Sequence, residues 1–184
     1  MLFSNRGFFP VYDTRTLLEG FALAHPANPG ISLVLKGEGP EEQEMRGLAA
    51  SLGIAGSVTF RGRSPYAEVP EDLRGADVFI STATSDGTPV SVLEAMSTGV
   101  PCIATGVGGV PEWISDRENG LLIPPRDPAA LSRSILALAA DPGLRARLGA
   151  RARETVLGRG DWGRLMARVE EDYKMLIRRA GGRT

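Results

Sequence analysis

The stretch SDGTPVSVLEAMSTGVPCIATGVGGVP, residues 85–111, decides how the rest of the chain is interpreted. Thr88 is predicted as the N-cap of a helix whose first helical position is Pro89, and apolar residues then recur at helical spacing. Gly99 is expected to end this helix in a left-handed conformation. The apolar run at 101–104 has the pattern of a strand that is buried on both faces.

Two carboxylates flank the start of this helix. Asp86 precedes it, and Glu94 lies about one and a half turns inside it. The N–H groups of Val90 and Ser91 are expected to be free at the positive end of the helix dipole, between the two acids. This arrangement suits a ligand with an anionic group and hydroxyls, such as a nucleotide-sugar. The same spacing also fits two acids that only cap and solvate a helix, and both interpretations stay open at this point.

Length and composition indicate one globular domain over residues 1–184, with 42% hydrophobic and 23% charged residues. The single cysteine, Cys102, lies in an apolar run and is predicted to be a buried hydrophobe. His25 is predicted near the end of a helix, where catalysis is not expected. One histidine and one cysteine cannot build a zinc cluster. Since neither a long apolar segment nor a signal-peptide pattern is found, a cytoplasmic location is the expectation.

The net charge of −1 is unevenly distributed. Residues 145–184 hold 11 Lys/Arg against 5 Asp/Glu, whereas residues 1–144 hold 10 against 17. A basic helical tail could make peripheral contact with an anionic membrane, or it could simply be a solvated arginine-rich surface. Nucleic acid is not an expected partner, because no basic patch with interleaved aromatic residues is present.

Strands and helices alternate along the chain. Strands are predicted at 1–3, 31–35, 58–60, 77–81, 101–104 and 120–123, and helices at 14–25, 41–52, 69–74, 110–114, 128–139, 142–157 and 161–179, besides the helix of the opening stretch. Because the strands are continuous apolar runs, the prediction is an α/β fold with a doubly wound parallel sheet of about six strands. Helices should cover both faces, and extra helices should follow at the C-terminus.

In such a sheet, the loops that follow the strands meet at the carboxyl edge, where ligands bind. The predicted loops there are 5–13, 37–40, 61–66, 81–88 and 105–111. Four of the five place glycine beside a charged or hydroxyl residue. The sequence therefore predicts a ligand site at this edge.

Several motifs together resemble a known family. The run DGTPVSVLEAMSTGVP at 86–101 is followed by GGVPE and NGLLIPP, and the GEGP turn, VTFRG, ADVFIS and a late Asp161–Trp162 pair also match. The chain is similar to the C-terminal, Rossmann-like domain of retaining glycosyltransferases of group 1 (family 4), which have the two-domain GT-B architecture. The resemblance implies a domain that binds a nucleotide-sugar donor.

The family motif is a glutamate, seven residues and a second glutamate. The second matches Glu94, which the resemblance assigns to the ribose hydroxyls. The first falls on Asp86, one methylene shorter, which the resemblance places against the transferred sugar. The remaining positions that the resemblance assigns to the donor are the helix start for the diphosphate (Gly87, Thr88, Pro89, Val90 and Ser91), the turn glycines Gly37 and Gly39 beside the nucleoside, and Arg61 and Gly62 beside the base.

The family also neutralises the leaving diphosphate with an arginine followed by a lysine. Arg6 matches the arginine, whereas Val11 and Tyr12 occupy the region of the lysine. Either Arg63 or Arg126 is expected to supply the second charge, unless the leaving group adopts another geometry.

The resemblance implies an enzyme that transfers a sugar from a UDP-, GDP- or ADP-sugar, with Asp86 and Arg6 as catalytic residues and without a cofactor or metal. The acidic triple at 170–172 is predicted to be a solvated helix face. An N-terminal domain, which this sequence lacks, would bind the acceptor, a sugar or lipid-linked glycan. A non-catalytic nucleotide-sugar binding or scaffold domain and a sugar-nucleotide epimerase of the same architecture are the alternatives.

Overall fold

Six short runs of apolar residues form one parallel sheet that carries helices on both faces. The structure is a computed structural model and describes residues 1–63, 65–160 and 162–181. The strands are β1 (Leu2–Ser4), β2 (Leu33–Lys36), β3 (Val58–Arg61), β4 (Val78–Ser81), β5 (Cys102–Thr105) and β6 (Leu121–Ile123). The helices are α1 (Thr14–Ala24), α2 (Glu42–Ser51), α3 (Val69–Arg74), α4 (Val90–Ser97), α5 (Val110–Trp113), α6 (Pro128–Ala140), α7 (Pro142–Arg159) and α8 (Trp162–Gly181).

The sheet has the strand order β3-β2-β1-β4-β5-β6, and every neighbouring pair is parallel. The chain first winds outward from β1 to β3, and then returns to β4 and winds to the other side. The predicted doubly wound sheet of six strands is therefore confirmed. The direction of winding reverses between β1 and β4, which is where ligands of such sheets bind.

The apolar runs are continuous because five of the six strands contribute residues to two cores, whereas the edge strand β3 contributes Val58 and Phe60 to one and exposes Thr59. Leu33 and Leu35 of β2 pack with α1, α2 and α6, whereas Val34 packs on the opposite face with α3, α4 and α7. Alternate residues of a strand point to opposite faces, so a strand that is covered on both sides is apolar at successive positions. This burial fixes the register, because a slip of one residue would exchange the two cores.

The helix of the opening stretch begins differently from the prediction. Thr88 is not its N-cap: the N-cap is Pro89, whose ψ is 66°, and no side chain caps the helix. The N–H of Val90 donates to the Thr88 carbonyl at 2.8 Å, so this N–H is not free as expected. The tight turn at Pro89 therefore delays the helix by one residue and uses one of the two N–H groups that the sequence assigned to a ligand.

The end of α4 confirms the prediction for Gly99, which has a φ of 78°. The N–H of Gly99 donates to the Met96 carbonyl, and that of Val100 donates to the Ala95 carbonyl. These two bonds form a Schellman motif, which satisfies carbonyls at the helix end and turns the chain directly into β5.

Helix α8 stands apart from both cores. Its side chains at 163–178 are all exposed, including a stripe of large apolar residues at helical spacing (Leu165, Met166, Val169, Tyr173, Leu176 and Ile177). The predicted start of this helix, Asp161, lies outside the described residues. None of the described helices is long and apolar enough to cross a bilayer.

Candidate functional site

The loops at the carboxyl edge hold one another through backbone hydrogen bonds. The N–H of Gly109, after β5, donates to the Asp86 carbonyl at 2.9 Å. The N–H of Thr84, after β4, donates to the Val11 carbonyl at 2.8 Å, which joins this loop to the one after β1. Three loops that are far apart in sequence therefore form one rigid rim around the switch point.

Arg6 lies at the centre of this rim and is held on three sides. One terminal nitrogen donates to Asp86 Oδ2 at 2.8 Å, and the other donates to Ser91 Oγ at 2.6 Å. The ring of Tyr12 stacks against the guanidinium, 4.2 Å from the ring centroid. The arginine side chain is only 13% exposed and the aspartate side chain 8%. A cation fixed in this way is preorganised to receive an anion with little loss of side-chain entropy.

The structure thus brings together Arg6 and Asp86, the two residues that the sequence analysis predicted as catalytic, and joins them in a salt bridge. Asp86 is one methylene shorter than glutamate, and one oxygen of its carboxylate accepts a hydrogen bond from Arg6. Tyr12, in the region where the family has its lysine, supports the same guanidinium by stacking. Arg6 Nε is buried and has no hydrogen-bond partner among the described atoms.

A cavity of about 540 Å³ opens beside Arg6. It combines three cationic side chains with one carboxylate, that of Glu94 on α4. Its lining residues are Asn5, Arg6, Lys36, Gly37, Arg63, Pro65, Tyr66, Val69, Val90, Ser91 and Glu94. The guanidinium of Arg6 and the carboxylate of Glu94 therefore face one space, and their roles toward an anion and toward hydroxyls stay predictions.

The N-terminus of α4 lies at this space, and Ser91 of its first turn lines the cavity. The Val90 N–H is occupied, but the N–H groups of Ser91 and Val92 have no backbone acceptor among the described residues. Both lie in the first turn of a helix, where the dipole favours negative charge. The prediction of free donors at this point is confirmed for Ser91 and wrong for Val90.

The two glycines of the GEGP turn have a packing reason in the structure. A Cβ at Gly37, whose φ is 151°, would lie 2.9 Å from the backbone of the loop after β1. A Cβ at Gly39 would overlap the Phe8 carbonyl. Gly37 lines the cavity, whereas Gly39 is not among its lining residues. Close contact between backbones is thus visible at both positions, and contact with a nucleoside stays a prediction.

The predicted base contacts lie at the neighbouring strand end. Arg61 is the last residue of β3 and pairs with Lys36 of β2. Of the two arginines considered as a second cation, Arg63 lines the cavity with Arg6. Arg126 lines a separate cavity with Asp13. The structure therefore favours Arg63 over Arg126 at this site.

Sequence reasoning missed Lys36, Asn5 and Tyr66. Lys36 precedes the GEGP turn, and its position as the last residue of a buried strand was the available signal. Its side chain is 11% exposed and its Nζ lies 2.6 Å from both carboxylate oxygens of Asp72 on α3. A glycine-based motif search passes over this lysine, because the motif begins one residue later.

Cys102 and His25 have the structural positions that the sequence predicted. Cys102 is fully buried, and this burial raises the pKa of its thiol. The His25 ring hydrogen-bonds the Ser57 hydroxyl and packs against Phe21, and it does not line the candidate cavity. Among the described residues, no group of histidine, cysteine or acidic side chains could hold a metal ion.

A larger cavity, of about 630 Å³, lies beside β6 and α6 and contains none of the predicted site residues. It presents Arg117, Arg133 and Arg147 around an apolar floor. Size alone does not identify a donor site. The smaller cavity is the better candidate because it lies at the switch point and joins oriented donors to a carboxylate.

The comparisons with known proteins agree with the fold and show the family. The family model for glycosyl transferases group 1 matches residues 1–155, so the chain belongs to the group 1 glycosyltransferase family. It is 34% identical over 144 residues to the lipopolysaccharide core biosynthesis glycosyltransferase LpsE of Rhizobium meliloti. The matched region covers 78% of this chain and 40% of LpsE. The chain therefore spans about two-fifths of the length of that relative.

Solved structures show the same fold. HepE of Anabaena, crystallised with UDP and glucose, superposes with a TM-score of 0.86 at 21% identity, over 95% of this chain and 48% of HepE. The C-terminal domain of the group 1 protein LpcC of Francisella tularensis superposes with a TM-score of 0.81 at 23% identity, over 88% of this chain and 86% of that domain. These likenesses confirm the Rossmann-like architecture predicted from the motifs.

Proposed function

We propose that this chain binds a nucleoside diphosphate sugar in the cavity between Arg6 and Glu94. Joined to an acceptor-binding half, it would transfer the sugar to a glycan or lipid-linked acceptor with retention of configuration. One observation carries the proposal: a fixed guanidinium, free N–H groups at a helix start and a carboxylate share one cavity at the switch point. Relatives of the same family are named as glycosyltransferases, and HepE was solved with UDP.

The chemical task is to stabilise a diphosphate as it leaves and the sugar becomes oxocarbenium-like. Arg6 and the N–H groups of Ser91 and Val92 face the developing negative charge without having to reorganise, which is the most effective form of electrostatic catalysis. Arg63 adds a second cation to the same cavity. In this proposal the charge is neutralised by the protein alone, and no metal ion or cofactor takes part.

The two carboxylates then have different tasks. Glu94 lies in the cavity and would accept hydrogen bonds from the ribose hydroxyls. Asp86 holds Arg6 through one oxygen and would orient the sugar through its remaining acceptor capacity. The acceptor half lies outside this sequence, so the chain by itself is expected to transfer little or no sugar.

One observation favours a second candidate, a domain that binds the donor without catalysis. The second family cation is replaced by Tyr12, which stacks on Arg6 and brings no charge. Donor binding is common to both candidates. Transfer by a protein that combines this chain with an acceptor-binding half would decide between them.

Peripheral contact with an anionic membrane stays a prediction. Helix α8 is the surface on which it would lie, because it exposes an apolar stripe and also carries basic residues such as Arg168 and Lys174.

Thermal unfolding in the presence of UDP-, GDP- and ADP-sugars tests the proposed function. A ligand that binds only the folded state raises its stability, by about 2.7 kcal/mol at one hundred times its dissociation constant. We expect at least one of these donors to raise the melting temperature. Glu94→Gln should reduce that shift, whereas Glu170→Gln on α8 should leave it unchanged. A flat response to every donor would contradict the proposal.

A further inference from the structure

Lys36 is a buried cation whose position the proposed transfer chemistry does not explain. It is the last residue of β2, directly beside Arg61 of β3 in the strand register, and it lines the cavity of Arg6 and Glu94. Its side chain is 11% exposed. A lysine in this position loses most of its hydration, and its charge must be compensated by the protein.

Asp72 provides this compensation and fixes the ammonium group. Both of its carboxylate oxygens lie 2.6 Å from Lys36 Nζ, so a bifurcated hydrogen bond holds the ammonium group against α3. No other acceptor among the described residues bonds Lys36 Nζ. The pair therefore leaves charged N–H donors of a fixed ammonium group at the wall of the cavity.

The order of the strands places this donor between the proposed diphosphate site at Arg6 and Arg61, the position that the family resemblance assigns to the base. The diphosphate end of the cavity is defined by Arg6, after β1, and by Ser91. Arg61 ends β3, which is two strands away from β1, or about 10 Å at the usual strand spacing. A nucleotide that extends from Arg6 toward Arg61 must pass over the end of β2, where Lys36 lies between them.

We propose that Lys36 selects donors whose base carries a keto oxygen, such as uracil or guanine, by donating an N–H that Asp72 does not engage to that oxygen. The inference rests on the proposed function and names the substrate class of that site. Uracil O4 and guanine O6 accept a hydrogen bond. Cytosine and adenine present an amino group at the corresponding position, so two donors would face each other and the buried ammonium N–H would stay unpaired.

The size of the effect follows from the cost of that unpaired group. Hydrogen bonds to charged groups, and sites built around a polar group of the ligand, discriminate more strongly than apolar contacts do. We expect UDP to bind at least about tenfold more tightly than CDP, and inosine diphosphate at least about tenfold more tightly than ADP. Within each pair the ring size is the same, so differences in packing are small.

Calorimetric titration of the 184-residue chain with these four diphosphates tests the inference. Lys36→Met should reduce both ratios to near one. The double variant K36M/D72N also removes the carboxylate that the first change leaves without its lysine, and it should give the same loss if the single variant folds poorly. Lys174→Met, at an exposed lysine of α8 that pairs with Glu170, is the matched control and should keep both ratios.

The outcomes separate this inference from the proposed function. Tight binding of all four diphosphates with equal affinity would overturn the role of Lys36 and leave the donor site intact. A keto preference that survives in both Lys36 variants would show that another group selects the base, and would also overturn it. If none of the four binds, both the donor site and the inference fail.

Discussion

At the scale of single residues, the site depends on how Arg6 is held. The guanidinium is bonded to Asp86 and Ser91 and stacked on Tyr12, so two loops and the first turn of α4 determine the position of one charge. The sequence predicted Asp86 and Ser91 as members of one site from their spacing around a helix start, and the family resemblance added Arg6. It did not predict that the arginine and the aspartate bind each other, because a contact across 80 residues has no local pattern.

We expect Arg6→Met to destabilise the chain by about 3 kcal/mol, because it leaves the Asp86 carboxylate buried without its cation. The double variant R6M/D86N should recover most of that loss. Urea denaturation of the three proteins measures these differences. Arg15→Met, at an exposed arginine paired with Glu44, is the control and should cost less than about 1 kcal/mol. An R6M protein as stable as the parent would show that the buried pair contributes nothing.

At the scale of elements, much of the fold was predictable from the pattern of apolar residues and from the glycines and prolines between them. The continuous apolar runs predicted buried parallel strands, and Gly99 marked the end of α4. The start of α4 was predicted wrongly, since the turn at Pro89 overrides the usual preference for proline at the first helical position. Strand β2 also runs one residue further than predicted, to Lys36, which moves that lysine from the loop into the sheet.

Packing between α4 and α7 depends on a contact between two glycines. Gly149, inside α7, lies against the Gly99 carbonyl, and a methyl group there would overlap that oxygen. Gly47, inside α2, has open space around it. We expect Gly149→Ala to destabilise the chain by about 1–3 kcal/mol through overpacking, whereas Gly47→Ala should stabilise it by about 0.5–1 kcal/mol through helix propensity.

Chemical denaturation of these two variants separates the two effects, because the substitution is the same and both positions lie within a helix. Equal stabilisation by both alanines would contradict the close approach of α7 to the end of α4.

At the scale of the whole molecule, the sheet order determines which residues can act together. Arg6 follows β1, and Lys36 and Arg61 end β2 and β3. Ser91 lies in the first turn of α4, and only the winding around β1 and β4 brings these residues to one edge. The sequence predicted that edge as the ligand site, but it could not give the depth of the cavity or the pairing of Lys36 with Asp72. Those depend on how α3 packs beside α4, which short-range patterns do not encode.

The central claim is that the nucleotide-sugar binds at this edge rather than in the larger arginine-lined cavity beside β6. Titration of the isotope-labelled chain with UDP-glucose and GDP-mannose, followed by amide NMR shifts, tests it most directly. We expect the shifts that one of these donors causes to be largest at Ser91, Gly37 and Arg63, and to disappear when Arg6 is replaced by methionine. Shifts centred on Leu122 and Arg133, or no shifts with either donor, would contradict the account.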